Sequence, residues 1–371
     1  MKLAFGLMRL PIIDNDNSKI NLEAFKEMVD EFIASGGTYF DTAWPYHSGN
    51  SELAFKKVVF ERYDRSQYTL TDKMPMFAIK EETDLETIFN KQLEKTGVSY
   101  FDYYWLHALN KNYYETVKKT KAFDFILKKK QEGKIKHIGF SFHDSYEVLE
   151  TILMENPEVE FVQLQINYID WLDDTNVQSR LCYEVCKKYN KPVMVMEPVK
   201  GGALVNVPEK ALKLMRDYNP NASTASWAIR YVASLDNVFM VLSGMSNLEQ
   251  MKDNLSYMKD FKPLNEEEKT IINEVANIIK NNISIQCTNC RYCISENKCP
   301  MNICIPDYFS IYNDKKAFNI KKGSYTQRYE ELNKTYGKAS ECLKCGMCET
   351  HCPQHLSIRD HLATIAKELE K

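Results

Sequence analysis

Residues 1 to about 262 alternate short β-rich runs with longer amphipathic ones, and this alternation limits the fold more than any other feature of the chain. The runs are LAFGLMR, GTYFDTA, YTLTDKM, YFDYYWLHA, KIKHIGFSF, EFVQLQINY, KPVMVMEPV and NVFMVLSG, eight in all. Between them lie stretches with apolar residues at helical spacing, such as NLEAFKEMVDEFIASG and AFDFILKKKQEG. The second stretch ends on Gly133, where a helix calls for a left-handed cap. Eight βα units in about 250 residues suit a closed parallel (β/α)8 TIM barrel. The alternative, an open doubly wound sheet, expects a GxGxxG after its first strand, and none is there.

At 371 residues the chain outruns a barrel. The run FKPLNEEEKTIINEVANIIKNN reads as a bridging helix, after which composition shifts near Ile283. The expected domains are therefore 1–282, barrel plus bridge, and 283–371, which has cysteine motifs, a polar basic middle (NDKKAFNIKKGSYTQRYEELNK) and a final helix (SIRDHLATIAKELEK). With 44% hydrophobic and 27% charged residues and a net charge of −3, the expectation is a globular protein with no nucleic-acid partner. The start MKLAFGLMRLPIIDND has too short an apolar core for a secretory signal, and no later run approaches the roughly 20 apolar residues of a membrane span. A cytoplasmic location without membrane contact is expected.

Nine of the eleven cysteines fall between Cys287 and Cys352; Cys182 and Cys186, one helical turn apart, read as packed thiols. Such clustering on a cysteine-poor body indicates a metal module in a reducing compartment rather than disulfides. CLKCGMCETHCP spaces Cys342, Cys345, Cys348 and Cys352 as a bacterial four-iron ferredoxin run does. CTNCRYCISENKCP repeats the pattern with Cys287, Cys290, Cys293 and Cys299, two residues longer before the last cysteine. In two-cluster ferredoxins the fourth cysteine of each run serves the other cluster. The expected [4Fe-4S] ligand sets are thus Cys287, Cys290, Cys293 with Cys352, and Cys342, Cys345, Cys348 with Cys299. Cys304 is left as a spare thiol, with replacement of Cys299 as its alternative; zinc bound by CxxC pairs is the alternative for the whole module.

In a parallel barrel, reactive groups gather at the C-terminal strand ends. Asp41 ends the second run, Lys73 the third and His107 the fourth, and Tyr46 lies on the loop after Asp41. Alone, each has an ordinary reading: a cap, a solvated lysine, a packed histidine, a half-buried phenol. Four at one barrel end make a constellation. The DTAxxY run from Asp41 to Tyr46, GNSE from Gly49 to Glu52, Lys73 before a proline-containing loop and the LH of His107 resemble the aldo-keto reductase superfamily in order and spacing.

That resemblance implies hydride transfer between NADP or NAD and a small-molecule carbonyl or alcohol. Tyr46 would be the general acid, Lys73 would stabilise its phenolate, Asp41 would hold Lys73, and His107 would orient the carbonyl. It also implies a cofactor site from Ser141 and Gln165 at the nicotinamide, Lys200 and Gly201 over the pyrophosphate, and Ser243, Gly244, Ser246, Gln250 and Asn254 at the adenosine phosphate. Phe142 stands where the family has Asn and Met196 where it commonly has a stacking aromatic; Gln250 stands where it has Arg, so weak discrimination between NADPH and NADH, or a preference for NADH, is expected. Trp44 and Trp171 are candidate pocket walls. The cysteine segment resembles dicluster ferredoxin modules fused to some bacterial and archaeal members. Nicotinamide moves two electrons and each cluster one, which leaves open a redox protein partner, a flavin mediator or a purely structural role. A redox-sensing, nucleotide-binding protein with little turnover is the alternative function.

Overall fold

The structure, a computed structural model, describes residues 1–14, 16–172, 174, 177–295, 299–317 and 322–370. Eight parallel strands close into a barrel: β1 (Leu3–Gly6), β2 (Tyr39–Asp41), β3 (Thr69–Met74), β4 (Phe101–Leu109), β5 (Ile135–Phe142), β6 (Phe161–Gln165), β7 (Val193–Met196) and β8 (Val238–Gly244). Each expected run coincides with one of them, β4 extending one residue past its run to Leu109. Closure is made by β8 against β1, with Leu3 opposite Val241 and Gly6 opposite Gly244. An antiparallel pair, Ile12–Ile13 with Asp16–Ile20, was not anticipated. Its signal is the Asp/Asn turn cluster between two isoleucine-bearing runs.

The barrel interior is packed, with Ala4, Tyr39, Trp105, Phe161 and Met194 forming one buried cluster. Trp105 and Phe161 meet edge to face with ring centroids 4.4 Å apart. That crowding explains Gly139 on β5, where a Cβ would lie 2.6 Å from the Phe161 carbonyl and 2.7 Å from the Trp105 ring. The helices follow the apolar periodicity. Leu22–Ala34 starts at Asn21, whose side chain accepts from the Ala24 N–H at 3.1 Å. Ala122–Gln131 stops ahead of Gly133, which has φ +73°.

The chain forms two compact units. The first, Met1–Asn167, Gln178–Pro198 and Ile229–Leu264, holds all eight barrel strands. The second comprises Tyr168–Val177, Val199–Ala228 and Asn265–Lys371. Its helices include Glu266–Asn282, Ile305–Ala317, Lys322–Leu332 and Ile358–Leu369. Ile303, Tyr308, Phe309, Tyr329, Leu362 and Ile365 build its core together with Cys293, Cys304 and Cys348. The polar stretch 313–334 is more helical than its composition suggests, anchored by the buried Tyr329, while residues 318–321 lie outside the described part. No described helix is long and apolar enough to cross a membrane.

Candidate functional site

Toward the C-terminal strand ends the inward positions change from apolar to polar. Asp41 is the last residue of β2, Lys73 the penultimate one of β3, and His107 lies two before the end of β4. All are buried, as is Tyr46 on the turn after β2. The Lys73 ammonium donates to Asp41 Oδ1 at 2.5 Å, to the Thr42 carbonyl at 2.8 Å and to Tyr46 Oη at 3.3 Å. The edge of the His107 ring faces Tyr46, centroids 6.2 Å apart. The four residues read from the sequence therefore come together.

Electrostatics differ among them. Burial raises the Asp41 carboxyl, and the adjacent Lys73 ammonium pulls it back down. Burial, then Lys73 and His143, hold His107 well below the ordinary histidine range, so its imidazole is neutral near pH 7. Ala108, directly after His107, has φ +57°, and its N–H donates to Ser141 Oγ at 2.7 Å. Ser141 thus ties β5 to the backbone that carries His107.

Behind Lys73 lies a buried network that the sequence reading missed. Gln92 Nε2 faces Asp72 Oδ1 at 2.9 Å, the Lys73 carbonyl at 3.0 Å and Glu52 Oε1 at 3.2 Å. The Lys73 N–H donates to Asp72 Oδ1 at 2.8 Å, Tyr104 donates to Gln92, and Lys95 pairs with Glu52. Burial, reinforced by the negative charge of Glu52, pushes the Asp72 carboxyl well above the usual range. A signal existed: Gln92 occupies the apolar stripe of helix Glu82–Thr96 defined by Leu85 and Phe89.

Of the expected cofactor residues, Gln165 ends β6, buried, with its carbonyl accepting from Ser179 Oγ at 2.7 Å. Ser243 and Gly244 end β8. Ser243 Oγ donates to Asn254 Oδ1 at 2.9 Å, and Asn254 Nδ2 donates to the Gln250 carbonyl at 2.9 Å. Gln250 Oε1 accepts from the Ser246 N–H at 2.8 Å, so it closes the loop ahead of helix Leu248–Met258. Lys200 and Gly201 belong to the second unit, where the Lys200 ammonium reaches Asp170 Oδ1 at 2.5 Å and Gln354 Oε1 at 3.1 Å. Phe142 is buried at the end of β5, Met196 ends β7 half-buried, and Trp44 carries the Lys95 ammonium 4.6 Å from its ring centroid. Trp171 lies in the second unit, half-buried.

The cysteine runs are conformational repeats. Asn289 and Arg291 flank Cys290 with φ +55° and +70°; Lys344 and Gly346 flank Cys345 with φ +55° and +78°. Three residues after Cys299 and Cys352, Asn302 and His355 have φ +50° and +49°. Helices begin at Ile305 and Ile358, six residues beyond those same cysteines. Alternating backbone of this kind turns peptide N–H groups into a concavity that suits anionic sulfur, and the Asn289 N–H already donates to Cys287 Sγ at 3.4 Å. Burial raises the Cys293 thiol, and Cys290, Cys287, Cys352 and Cys348 add to it. Cys348 is pushed up to about 11 by burial, with Glu349, Cys342 and Cys299 adding. The donor set and its turns thus fit iron–sulfur groups, although among the described residues no three His, Cys, Asp or Glu side chains are gathered as ligands of a single metal ion.

Residues 286–356 match the 4Fe-4S dicluster domain. Among solved structures, the fold is similar to an aldo-keto reductase from Klebsiella pneumoniae in complex with NADPH, at TM-score 0.61 and 16% identity, over 74% of this chain and 90% of that one. It is also similar to the holo form of a Bacillus halodurans aldo-keto reductase, at TM-score 0.57 and 22% identity, over 74% and 91% of the two chains. A Brucella melitensis aldo/keto reductase aligns at TM-score 0.56 and 20% identity, over 74% and 94%. No curated protein matches significantly. Residues 2–277 match the Aldo/keto reductase family, and with the closed barrel that carries Asp41, Tyr46, Lys73 and His107 at its strand ends, the chain belongs to that family.

Proposed function

We propose that this protein is a nicotinamide-dependent oxidoreductase acting on a carbonyl/alcohol pair, with two [4Fe-4S] clusters bound by the crossed cysteine sets. The observation that carries this reading is the buried ammonium of Lys73 held between Asp41 at 2.5 Å and the Tyr46 hydroxyl at 3.3 Å. A free phenol, with a pKa near about 10, is a weak acid at neutrality. An adjacent ammonium stabilises the phenolate left after proton transfer, and Asp41 holds and aims that ammonium. Tyr46 then delivers a proton to the carbonyl oxygen, and neutral His107 orients the same oxygen by a hydrogen bond. The bound nicotinamide supplies or accepts the hydride at the carbonyl carbon. Ser141 and Gln165 are assigned to hold its amide, and Ser243, Gly244, Ser246, Gln250 and Asn254 its adenosine phosphate. The clusters add one-electron chemistry.

Tyr46→Phe tests the assignment. The expected result is loss of carbonyl reduction in kcat, with nucleotide affinity nearly unchanged, because the hydroxyl acts only during chemistry. Retained turnover would remove Tyr46 from the acid role. A second reading, a redox sensor that binds nucleotide with little turnover, is favoured by one observation: two of the polar groups expected on cofactor phosphates, Lys200 and Gln250, are engaged within the protein. Steady-state assays with both nucleotides and simple carbonyls separate the two readings.

A further inference from the structure

Lys200 and Gly201 follow β7 in the chain, and each has a close contact with the cysteine module. The Lys200 ammonium is 1% exposed and lies between Asp170 Oδ1 at 2.5 Å and Gln354 Oε1 at 3.1 Å. Gln354 is two residues beyond Cys352. At Gly201, a Cβ would fall 1.5 Å from the carbonyl oxygen of Thr288, the residue after Cys287. Only glycine permits that approach, and its φ of +64° suits glycine too. Cys287 and Cys352 belong to the same expected ligand set. Both anchoring residues also keep a buried donor with no partner among the described residues, Gln354 Nε2 and Thr288 Oγ1. A sulfide-rich group is the acceptor that such donors lack.

The segment's other fastenings are its own turn, with the Gly202 and Leu204 N–H groups donating to the Val199 carbonyl, the buried Leu204 side chain, and Thr224 Oγ1 donating to the Val205 carbonyl at 2.8 Å. Beyond Gly201 a cavity of about 350 Å³ opens, lined by Gly202, Asn206, Ile283, Cys287, Pro306 and Asn313 among others. Lys200, Gly201 and Gly202 all have positive φ, at 49°, 64° and 98°, a run that the chain does not hold unaided.

We infer that Lys200 and Gly201 form a strut through which loading of the Cys287, Cys290, Cys293, Cys352 cluster sets the conformation of Val199–Val205. Lys200 is a positioning residue here: it reads the cysteine loop through Gln354 and fixes the segment through its own backbone. Resting on the reading of this segment as the cover over the cofactor pyrophosphate, the strut makes nucleotide affinity depend on that cluster. Coupling of this kind is reciprocal, so bound nucleotide slows iron loss to a chelator.

Hydrogen exchange on the full-length protein tests the strut, comparing cluster-loaded and chelator-stripped wild type with loaded Lys200→Met, Gln354→Leu and Gly201→Val. Removing Lys200 strands a buried carboxylate and risks misfolding, so Gln354→Leu and Gly201→Val, which replace neither Lys200 nor Asp170, are the decisive variants. Amides of 200–204 should exchange about tenfold faster in stripped wild type and in the loaded variants, with β8 unchanged and iron content retained in the variants. Equal protection in loaded and stripped wild type, or full protection in both decisive variants, would overturn the strut. Titration with NADH and NADPH follows. Affinity falling in step with lost protection supports the coupling, and affinity indifferent to it overturns the coupling. Failure of loaded wild type to bind either nucleotide counts against the oxidoreductase reading itself, while the exchange result still judges the strut.

Discussion

Gln92 lies behind Lys73 and is expected to act on the proposed chemistry through it. Its amide satisfies Asp72 and the Lys73 carbonyl at 2.9 and 3.0 Å, and those two groups fix the peptide from which the Lys73 ammonium reaches Tyr46. Gln92→Leu keeps the volume and orphans buried acceptors, each at a cost of about 1–3 kcal/mol. The variant should unfold at lower denaturant and lose kcat while nucleotide binding persists; wild-type kcat in a destabilised variant would confine Gln92 to stability. His107 makes a pH prediction. Its pKa is depressed in the folded protein, by burial first, so the unfolded chain takes up a proton near its ordinary value of about 6.5 that the folded chain refuses. Its contribution is therefore constant above that pH and becomes destabilising as pH falls through it. Between pH 7 and 5.5 wild type should lose about 1 kcal/mol more than His107→Asn. Parallel denaturation curves at the two pH values would contradict a neutral buried imidazole.

Strand–loop–helix units explain which cofactor residues are available. After β8 the chain turns through Ser246 and Asn247 into helix Leu248–Met258, and Asn247 Oδ1 caps the Gln250 N–H at 2.9 Å. Gln250 then folds back onto the Ser246 N–H, one of the donors that a phosphate at this helix start would otherwise meet. An uncharged amide closing the loop explains why little discrimination between NADPH and NADH is expected. Gln250→Arg should tighten NADPH by about 10- to 100-fold, the worth of one charge-assisted phosphate contact, and leave NADH nearly unchanged. Fluorescence titration with both nucleotides checks this; equal effects on the two would place Gln250 away from the 2′-phosphate. The loop after β7 behaves differently, because Lys200 is paired with Asp170 and Gln354, a partnership between residues 30 and 154 positions away. No local motif announces such a pairing.

Across the whole chain, the two cysteine runs align residue for residue after their last cysteines, so that Cys304 holds the place of Ser357, one position before the helices that start at Ile305 and Ile358. Cys304 is buried, pushed up to about 11 by that burial, and its other electrostatic neighbours are Tyr308, Asp307 and Arg291 rather than a cysteine. It therefore suits a spare helix-start thiol. Cys304→Ala should retain about eight irons per chain, whereas Cys352→Ala should lose the cluster built on Cys287, Cys290 and Cys293. Iron and sulfide assays with EPR distinguish the two, and cluster loss in Cys304→Ala with Cys299→Ala unharmed would reverse the assignment of those two cysteines. Ligation contributes to the folding of a module this small, so Cys352→Ala should also become protease-sensitive after Ile283 while barrel fragments persist.

The barrel was legible because its information is periodic and local: eight β-rich runs, helical spacing between them, and glycine where a helix stops. The four buried polar residues proposed to react were legible as a group for a related reason, since polar side chains at the ends of apolar runs have few explanations in a packed barrel, and the cysteine spacing carries its own geometry. What stayed hidden depends on residues far apart in sequence. Gln92 reads as an ordinary helix amide until β3 and Glu52 close around it, and the pairing of Lys200 with Asp170 and Gln354 has no local signal. A buried polar group must find a partner somewhere, and only the folded chain shows which partner it found.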